Sequence, residues 1–322
     1  MKVGIISFAH PHAYGYADSL GKIDGVQIVG IADDDQKRGE NAAAKYNTIF
    51  FKGHEELLQQ DLDAVIITSE NSKHREHVVA AAKARKHILC EKPLATKVED
   101  AKEMIEVCKQ NQVILQTAFP VRFNSAVVRA KKIVENGELG QIFAIKGTNR
   151  GTNPGGWFVD RAKSGGGAVI DHTVHVVDLM RWFMGAEVKE VYAEIDNTIS
   201  SGSIDDCGIL NIEFENEVFS TLDCSWSRSE TYPTWGDVTL EIIGSEGNLK
   251  VDAFAQKLDV YAPDGVNWNY WGDNMDFELI NDFLTSVSNG NEPSISGFDG
   301  LKALEVALAA YESSEKRQPI KI

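Results

Sequence analysis

The sequence predicts two successive domains, an α/β domain with a doubly wound parallel sheet and an α+β domain built on one large, mostly antiparallel sheet. In the first part of the chain, short apolar runs alternate with helical patterns, which is typical of parallel βαβ units. Beyond this part, strand candidates follow one another through short hairpin-type links, which favours antiparallel pairing. The alternation stops within 119–123, so we place the domains at 1–120 and 121–322.

The composition limits the class of protein. The chain has 322 residues, a formal net charge of -16 and four cysteines, and its length suits about two domains. An acidic surface repels phosphate backbones, so we expect no nucleic-acid partner. No apolar run approaches the roughly 18 residues of a membrane span, and the N-terminus has no signal-peptide pattern, so we expect no membrane partner. Because Cys90, Cys108, Cys207 and Cys224 are widely spaced, we expect free thiols in a cytoplasmic protein.

The first domain has the element order of a dinucleotide-binding, or Rossmann, domain. Right-handed βαβ connections bring the carboxyl ends of its strands to one edge of the sheet, where ligands bind. The strands are expected at 3–6, 26–31, 64–68, 87–89 and 113–116, with one helix beginning near Pro11 and another over 36–46.

The turn after the first strand is expected to hold the cofactor pyrophosphate. A dinucleotide site usually has glycines here, but this chain has Ser7, Ala9 and His12 at the three positions. Serine and alanine are the next-smallest residues, and the following helix offers backbone N–H groups to a phosphate. His12 is too large for the glycine's packing role, so it either touches a ribose or phosphate or is a packed or capping histidine. The predicted contacts of this turn are Ser7, Phe8, Ala9, His10 and His12.

Polar residues follow the next strands at the same edge. Asp33 ends the second strand, where a carboxylate accepts hydrogen bonds from the adenosine ribose and repels a 2′-phosphate, so we expect NAD rather than NADP. Asp34 and Asp35 are interpreted as a turn and a helix cap. Asn71 and His74 either line the nicotinamide ribose or cap the next helix. The further predicted cofactor contacts are Thr68, Asn71, His74, Glu91 and Lys92.

Lys92 is the first candidate for chemistry, because it follows the apolar strand that ends at Cys90. A lysine at the carboxyl end of a parallel strand lies where such sheets bind ligands. Pro93 restricts the backbone of Lys92 and can form a cis peptide bond. The alternative is that Glu91 and Lys92 form an exposed pair at a strand end.

The second domain is predicted from its strand candidates. A helix over 125–136 and the turn 137–140 precede them, and we find no internal repeat. The strands are expected at 142–149, 188–196, 207–214, 218–226, 238–244, 247–252 and 258–262, followed by helices over 275–288 and 300–315 and a short strand over 319–322.

A polar stripe marks the helix that follows Gly165, Gly166 and Gly167. The spacing of Asp171, His175 and Asp178 places the three on one helix face. His175 is suited to accept and return a proton near neutral pH, Asp171 to bind a substrate hydroxyl, and Asp178 to hold the imidazole tautomer. One alternative is a metal site formed by His10, His12, Asp171, His172 and His175. Another is a structural polar stripe whose members hydrogen-bond within the protein.

Aromatic residues of the second domain either stack on sugar rings or form an oligomer interface. They are Trp157, Trp226, Tyr232, Trp235, Trp268, Tyr270 and Trp271.

Several motifs in order resemble the glucose-fructose oxidoreductase / inositol dehydrogenase / MocA family over nearly the whole chain. They are Glu91-Lys92-Pro93, Asn71-x-x-His74, Arg122-Phe123, Gly137-Glu138-Leu139-Gly140, and the three glycines followed by Asp171, His175 and Asp178. The resemblance implies an NAD(P)-dependent oxidoreductase of sugars or cyclitols that forms homodimers or homotetramers through the C-terminal sheet. It also implies a cis Lys92–Pro93 bond, Lys92, Asp171 and His175 as catalytic residues, and Arg122, Trp157, Asp171, His172 and His175 as substrate contacts.

The chain departs from this family at two places. Ser7, Ala9 and His12 replace the glycine fingerprint, although a subset of members resembles the His-x-His turn. Arg85 stands where a glycine usually ends a helix, which costs local backbone strain.

The resulting hypothesis is that Lys92 and His175 meet across one cleft beside the nicotinamide, where His175 removes the hydroxyl proton and Lys92 stabilises the alkoxide. The first alternative is a non-catalytic dinucleotide-binding sensor. The second is a metal-dependent lyase or isomerase.

Overall fold

The computed structural model describes residues 1–200, 202–232, 236–263 and 265–322, which form two compact units. The first unit comprises Met1–Pro120, Ala162–Gly165 and Asp276–Leu301, and the second comprises Val121–Arg161, Gly166–Met275 and Lys302–Ile322. The helices are α1 His12–Leu20, α2 Gln36–Lys45, α3 His54–Leu58, α4 His74–Lys83, α5 Val98–Gln110, α6 Ser125–Glu135, α7 Arg161–Ser164, α8 Ala168–Met184, α9 Met275–Asn289 and α10 Gly297–Lys316.

The first unit contains a six-stranded sheet in the order β3-β2-β1-β4-β5-β6. Every pair in it is parallel, as predicted for a Rossmann sheet. The central strand β4 is entirely apolar and buried, because helices cover both faces of such a sheet. The strands are β1 Lys2–Ile6, β2 Gln27–Ala32, β3 Ile49–Phe51, β4 Ala64–Ile67, β5 His87–Cys90 and β6 Leu115–Thr117.

Strand β3 was not predicted, because three residues are too few to show a periodic pattern; its pairing with β2 stabilises it. At the end of α4, Arg85 has φ 57°, the left-handed conformation expected for a glycine position. This conformation costs an arginine roughly 1–2 kcal/mol.

The second unit contains a seven-stranded sheet in the order β12-β11-β7-β10-β9-β8-β15. Only β10 and β7 pair in parallel, so the prediction of a large, mostly antiparallel sheet is confirmed. Its strands are β7 Ile142–Gly151, β8 Val188–Asp196, β9 Cys207–Phe214, β10 Phe219–Asp223, β11 Gly236–Gly244, β12 Asn248–Asp252 and β15 Ile320–Lys321, and a separate hairpin pairs β13 Lys257–Ala262 with β14 Gly265–Tyr270.

Helix α8 lies closely against this sheet. A side chain at Gly147 in β7 would come within 2.6 Å of Met180 and 2.8 Å of Val176, so the glycine permits the approach. The predicted strand over 218–226 ends early at Asp223, and the next residues continue as a loop.

Two predictions from composition can be compared with the structure. All four cysteines are free, as expected. Among the described residues, no helix combines the length and apolar character needed to cross a membrane.

Candidate active site

The turn after β1 has the backbone of a phosphate-binding turn despite its side chains. Ser7 has φ 71°, a conformation that favours glycine, and its Oγ accepts a hydrogen bond from the N–H of Ala9 at 3.1 Å. A serine therefore adopts the conformation of the first glycine, at a cost of about 1–3 kcal/mol in local strain.

The N–H groups of this turn donate to protein atoms. That of Phe8 donates to Asp33 at 2.7 Å, that of His10 to the carbonyl of Thr68 at 3.0 Å, and that of His12 to Nδ1 of His10 at 3.1 Å. A phosphate has to compete with these bonds, and the contact of this turn with the cofactor pyrophosphate stays a prediction.

Asp33 lies at a pocket that fits the adenosine half of a dinucleotide. The pocket, of about 280 Å³, opens at the carboxyl ends of β1, β2 and β4 and is lined by Ser7, Asp33, Asp34, Ser69 and Lys73, among others. A buried carboxylate at the end of the second strand is what an adenosine ribose requires. These residues fit NAD at its adenosine end.

Arg38, which we did not predict, pairs with Asp33. Its Nε and Nη2 donate to the two Asp33 oxygens at 2.9 and 2.6 Å. Asp35 caps α2 as predicted, whereas Asp34 is not only a turn residue, because Lys73 pairs with it. The one available signal for Arg38 was its place in the first turn of the helix that follows Asp33.

We predict that Asp33→Asn shifts cofactor preference toward NADPH. The change removes the charge that repels a 2′-phosphate and frees Arg38 to pair with it. Because hydrogen bonds to charged groups contribute about 1.5–3 kcal/mol, the ratio of the NADH and NADPH dissociation constants should change by about 10- to 100-fold. Fluorescence titration measures both constants, and adding Arg38→Ala should reverse the gain. An unchanged ratio would contradict the assignment of Asp33.

The three residues after β4 that we predicted as cofactor contacts are hydrogen-bonded to backbone carbonyls. Thr68 Oγ1 donates to Ser7 O at 2.6 Å, and Asn71 Nδ2 donates to Ser164 O at 2.8 Å. His74 is fully buried, and its ring nitrogens lie 3.0 Å from Pro93 O and 3.1 Å from Ser69 O. Thr68 and His74 therefore hold the loops at this edge, and their contacts with a cofactor stay predictions. The contact of Asn71 with a ribose stays a prediction.

The segment after β5 is buried, and the Lys92–Pro93 bond is cis, as the family resemblance implied. Glu91 and Lys92 are 1% and 3% exposed, so the alternative of an exposed pair at a strand end was wrong. One Glu91 oxygen accepts from the N–H of Lys92 at 2.7 Å, and the other lies 2.8 Å from Nδ1 of His12. His12 thus contacts this segment of the first unit.

In the second unit, the glycines before α8 permit close contacts. A side chain at Gly167 would lie 1.9 Å from the carbonyl oxygen of Asp205. The Asp205 carboxylate accepts from the N–H groups of Gly167 and Val169, both at 2.9 Å, and so caps the helix. We did not predict this cap, because Asp205 lies far along the chain from α8.

Asp171 is held by its neighbours in the second unit. Trp226 Nε1 donates to it at 3.3 Å, and His172 Nε2 lies 3.4 Å from the same oxygen. His172 is fully buried and its Nδ1 donates to Cys224 O at 3.1 Å, so this nitrogen is already engaged with the protein, and the substrate contact of His172 stays a prediction. His175 is 5% exposed, and Asp171 is 8% exposed.

Asp178 pairs with Arg122, a partner that we did not predict, and its predicted role in holding the His175 imidazole stays a prediction. Arg122 Nε and Nη2 donate to its two oxygens at 2.6 and 2.5 Å. Asp178 is fully buried, Arg122 is 8% exposed, and the guanidinium lies 5.5 Å from the ring of Trp182. Arg122 is therefore the partner of a buried carboxylate, and its contact with a substrate stays a prediction.

The aromatic residues differ in their surroundings. Trp157 stacks on Phe158 with ring centroids 3.9 Å apart, Trp226 is buried and cannot stack on a sugar, and Trp271 is 61% exposed. The Tyr232 ring packs under the guanidinium of Arg228. Trp235 lies outside the described residues, as do the side chains of Trp268 and Tyr270.

Comparison with known proteins agrees with this arrangement. Residues 2–119 match the family model of an oxidoreductase family with an NAD-binding Rossmann fold, and 127–250 match the model of the GFO/IDH/MocA C-terminal domain. The chain is 30% identical to a myo-inositol 2-dehydrogenase of Thermotoga maritima, covering 100% of this chain and 98% of the relative.

Two solved structures are similar over the full chain. A probable dehydrogenase from Thermotoga maritima superposes with a TM-score of 0.87 at 29% identity, covering 100% of this chain and 98% of the other. A myo-inositol 2-dehydrogenase from Lactobacillus plantarum superposes with a TM-score of 0.89 at 25% identity, covering 100% and 99%.

Proposed function

Because the chain belongs to the GFO/IDH/MocA oxidoreductase family, we propose that it transfers a hydride between nicotinamide and a secondary alcohol or ketone of a sugar, cyclitol or related polyol. It is an oxidoreductase with an NAD-binding Rossmann domain. The substrate class is supported by relatives named myo-inositol 2-dehydrogenase, scyllo-inositol 2-dehydrogenase (NAD(+)) and 1,5-anhydro-D-fructose reductase.

The observation that carries the proposal is the burial of Lys92 directly after β5. This residue and the Asp33 pocket follow strands of one parallel sheet, so both belong to its carboxyl edge. That edge is where open α/β sheets bind ligands.

We assign three roles to the catalytic residues. Asp171, which accepts a hydrogen bond from Trp226, hydrogen-bonds the reacting hydroxyl. His175 accepts the hydroxyl proton as the C–O single bond of the alcohol becomes the C=O double bond of the ketone. Lys92 stabilises the negative charge that develops on oxygen. When bound, the nicotinamide accepts the hydride that leaves carbon.

The test is a panel of inositols, sugars and sugar acids, each assayed with NAD and with NADP for formation of reduced cofactor. Turnover of a polyol with NAD supports the proposal. Tight NADH binding with no turnover across the panel would favour the non-catalytic sensor. Stoichiometric metal together with activity that needs no nucleotide would favour the lyase or isomerase.

His175→Asn should lower kcat by about 10²- to 10⁴-fold, because general-base catalysis contributes about this factor. The thermal unfolding temperature should change little, since the exchange is polar and similar in size. His172→Asn is the contrast: it removes a fully buried ring between Asp171 and Cys224 O, so it should lower stability as well. A kcat that His175→Asn leaves unchanged would refute the assigned base.

We also propose that the protein is a homodimer or homotetramer formed through the C-terminal sheet. Ile209, Phe219 and Ile243 are 47%, 59% and 39% exposed on three strands of this sheet. Their strand neighbours Leu210, Ser220 and Ile242 are buried, so the exposed residues point to the opposite face. Large apolar side chains that are exposed on a sheet face are typical of an interface, and sedimentation equilibrium would give the number of copies.

A further inference from the structure

A hydrogen-bonded cluster in the first unit connects helix α1 with the segment that carries Lys92. Glu91 is 1% exposed, and its Oε1 accepts from the hydroxyl of Tyr16 at 2.6 Å and lies 2.8 Å from Nδ1 of His12. Its Oε2 accepts from the backbone N–H of Lys92 at 2.7 Å. Both oxygens of this buried carboxylate therefore have donors, and one donor belongs to the proposed catalytic residue.

The cluster holds a negative charge inside the protein. Burial raises the pKa of Glu91, but His10 and His12 outweigh it, so the pKa lies well below its ordinary value. A buried carboxylate needs a compensating cation nearby. His12 has a side chain that is 35% exposed and lies in direct contact with Glu91, so it can take up a proton from solvent.

The charge of Glu91 acts in turn on His12. Burial lowers the pKa of His12, but the Glu91 carboxylate outweighs it and the net pKa is raised. Other titratable groups face the ring as well. The positive charge of Lys92 lowers this pKa and Asp276 of α9 raises it, and the ring centroids of His10 and Tyr16 lie 4.3 and 5.8 Å from that of His12. Because Nδ1 donates to Glu91, the second proton titrates at Nε2. Neutral His12 keeps the hydrogen bond but loses its charge, and bonds to a charged donor are about twice as strong.

His12 stands at the third position of the glycine fingerprint, where a helix usually packs closely on a strand. Here the imidazole extends from the start of α1 to the segment after β5. We propose that His12, supported by Tyr16, is a positioning residue that fixes Glu91 and through it the backbone of Lys92, and that deprotonation of His12 loosens this arrangement at alkaline pH. The inference rests on the proposed role of Lys92 in hydride transfer.

The sign of the pH dependence follows from the raised pKa of His12. The ion pair with Glu91 is fully present below the ordinary pKa of a histidine and is lost as pH rises through the raised value. We therefore expect kcat to decrease as pH rises through the pKa of His12. Protonation of the base His175 lowers activity on the acid side, so the two histidines produce opposite limbs of the profile.

The first measurement needs no substrate. The imidazole of His12 is titrated by NMR of ¹⁵N-histidine-labelled protein and assigned by its loss in His12→Gln. We expect a pKa above that of an exposed histidine, and a lower one in Glu91→Gln, which removes the negative charge. A His12 pKa that is ordinary in the unchanged protein, or unaffected by Glu91→Gln, would overturn the inference.

The second measurement separates positioning from folding. His12→Ala should lower kcat by about 10- to 100-fold, corresponding to a charge-assisted bond of about 1.5–3 kcal/mol, with a smaller change in the NADH dissociation constant. His12→Gln has a neutral amide that can donate to Glu91 but does not titrate. Its kcat should lie above that of His12→Ala, match the alkaline value of the unchanged protein at every pH above the acid limb, and show no alkaline limb. Tyr16→Phe should lower kcat less and keep the limb.

Failure of the inference and failure of the proposed function on which it rests give different results. An alkaline limb that His12→Gln leaves in place would overturn the positioning role. If the unchanged protein turns over no polyol while His12 still titrates high and responds to Glu91→Gln, the ion pair stands and the proposed function is what fails.

Discussion

A Lys92→Met variant is expected to lose turnover by about 10³-fold while binding NADH as the unchanged protein does. One preorganised donor to a developing oxyanion contributes roughly 10²- to 10³-fold, and a lysine that also orients the hydroxyl reaches the upper part of this range. Methionine is unbranched and similar in length, so it fills the buried position of a side chain that is 3% exposed. The measurements are kcat at saturating substrate and the NADH dissociation constant by fluorescence titration.

Lys86→Met provides a matched control at the other end of the same strand. Lys86 precedes β5, is half-buried, and donates from Nζ to Leu62 O at 2.8 Å. This end is the amino edge of the parallel sheet, away from the edge where ligands bind. We expect Lys86→Met to keep kcat. Equal losses in the two variants would mean that kcat responds to any lost lysine, and full activity of Lys92→Met would end its assignment.

The second large effect is on stability. Arg122→Met should lower the free energy of unfolding by about 3–5 kcal/mol, because it leaves the fully buried Asp178 without the cation that pairs with both of its oxygens. The substitution also removes the contact between the guanidinium and the ring of Trp182. Urea unfolding followed by tryptophan fluorescence measures the change, and KM for the substrate should stay within a few-fold.

A double variant checks the physical cause. Arg122→Met with Asp178→Leu replaces both charges by apolar groups, and such exchanges are often neutral or stabilising. We expect it to recover most of the stability that Arg122→Met loses. If Arg122→Met instead folds normally and raises KM strongly, Arg122 is the substrate contact that the sequence first indicated.

Sequence patterns were most informative where neighbours along the chain carry the signal. The predicted order of parallel strands holds because apolar runs that are buried on both faces differ from helical patterns even in a single sequence. Asp35 was recognised as a cap because the helix it caps begins at the next residue. The hairpin of β13 and β14 was only half predicted, although β14 alternates between apolar and polar residues from Val266 to Tyr270.

The partners of buried polar side chains could not be predicted from local sequence patterns. Asp178 was predicted to orient His175 because both lie on one helix face, yet its partner is Arg122, from a segment far along the chain. His74 and His172 looked like ligand contacts because histidine so often is one, but both are fully buried against backbone carbonyls. A residue's type and spacing say what it can bind, and only its surroundings decide what it does bind.

The amino-acid sequence by itself determined the parallel sheet, the mostly antiparallel sheet and the family, and it indicated Lys92, Asp171 and His175 as candidates for chemistry. These follow from local periodicity and from motifs whose members are near one another. The tertiary structure alone decided that Arg38 pairs with Asp33, that Asp205 caps α8, and that His12 contacts Glu91. The physical reason is that a buried charge or an open helix end must find a partner, and folding supplies that partner from any distance along the chain.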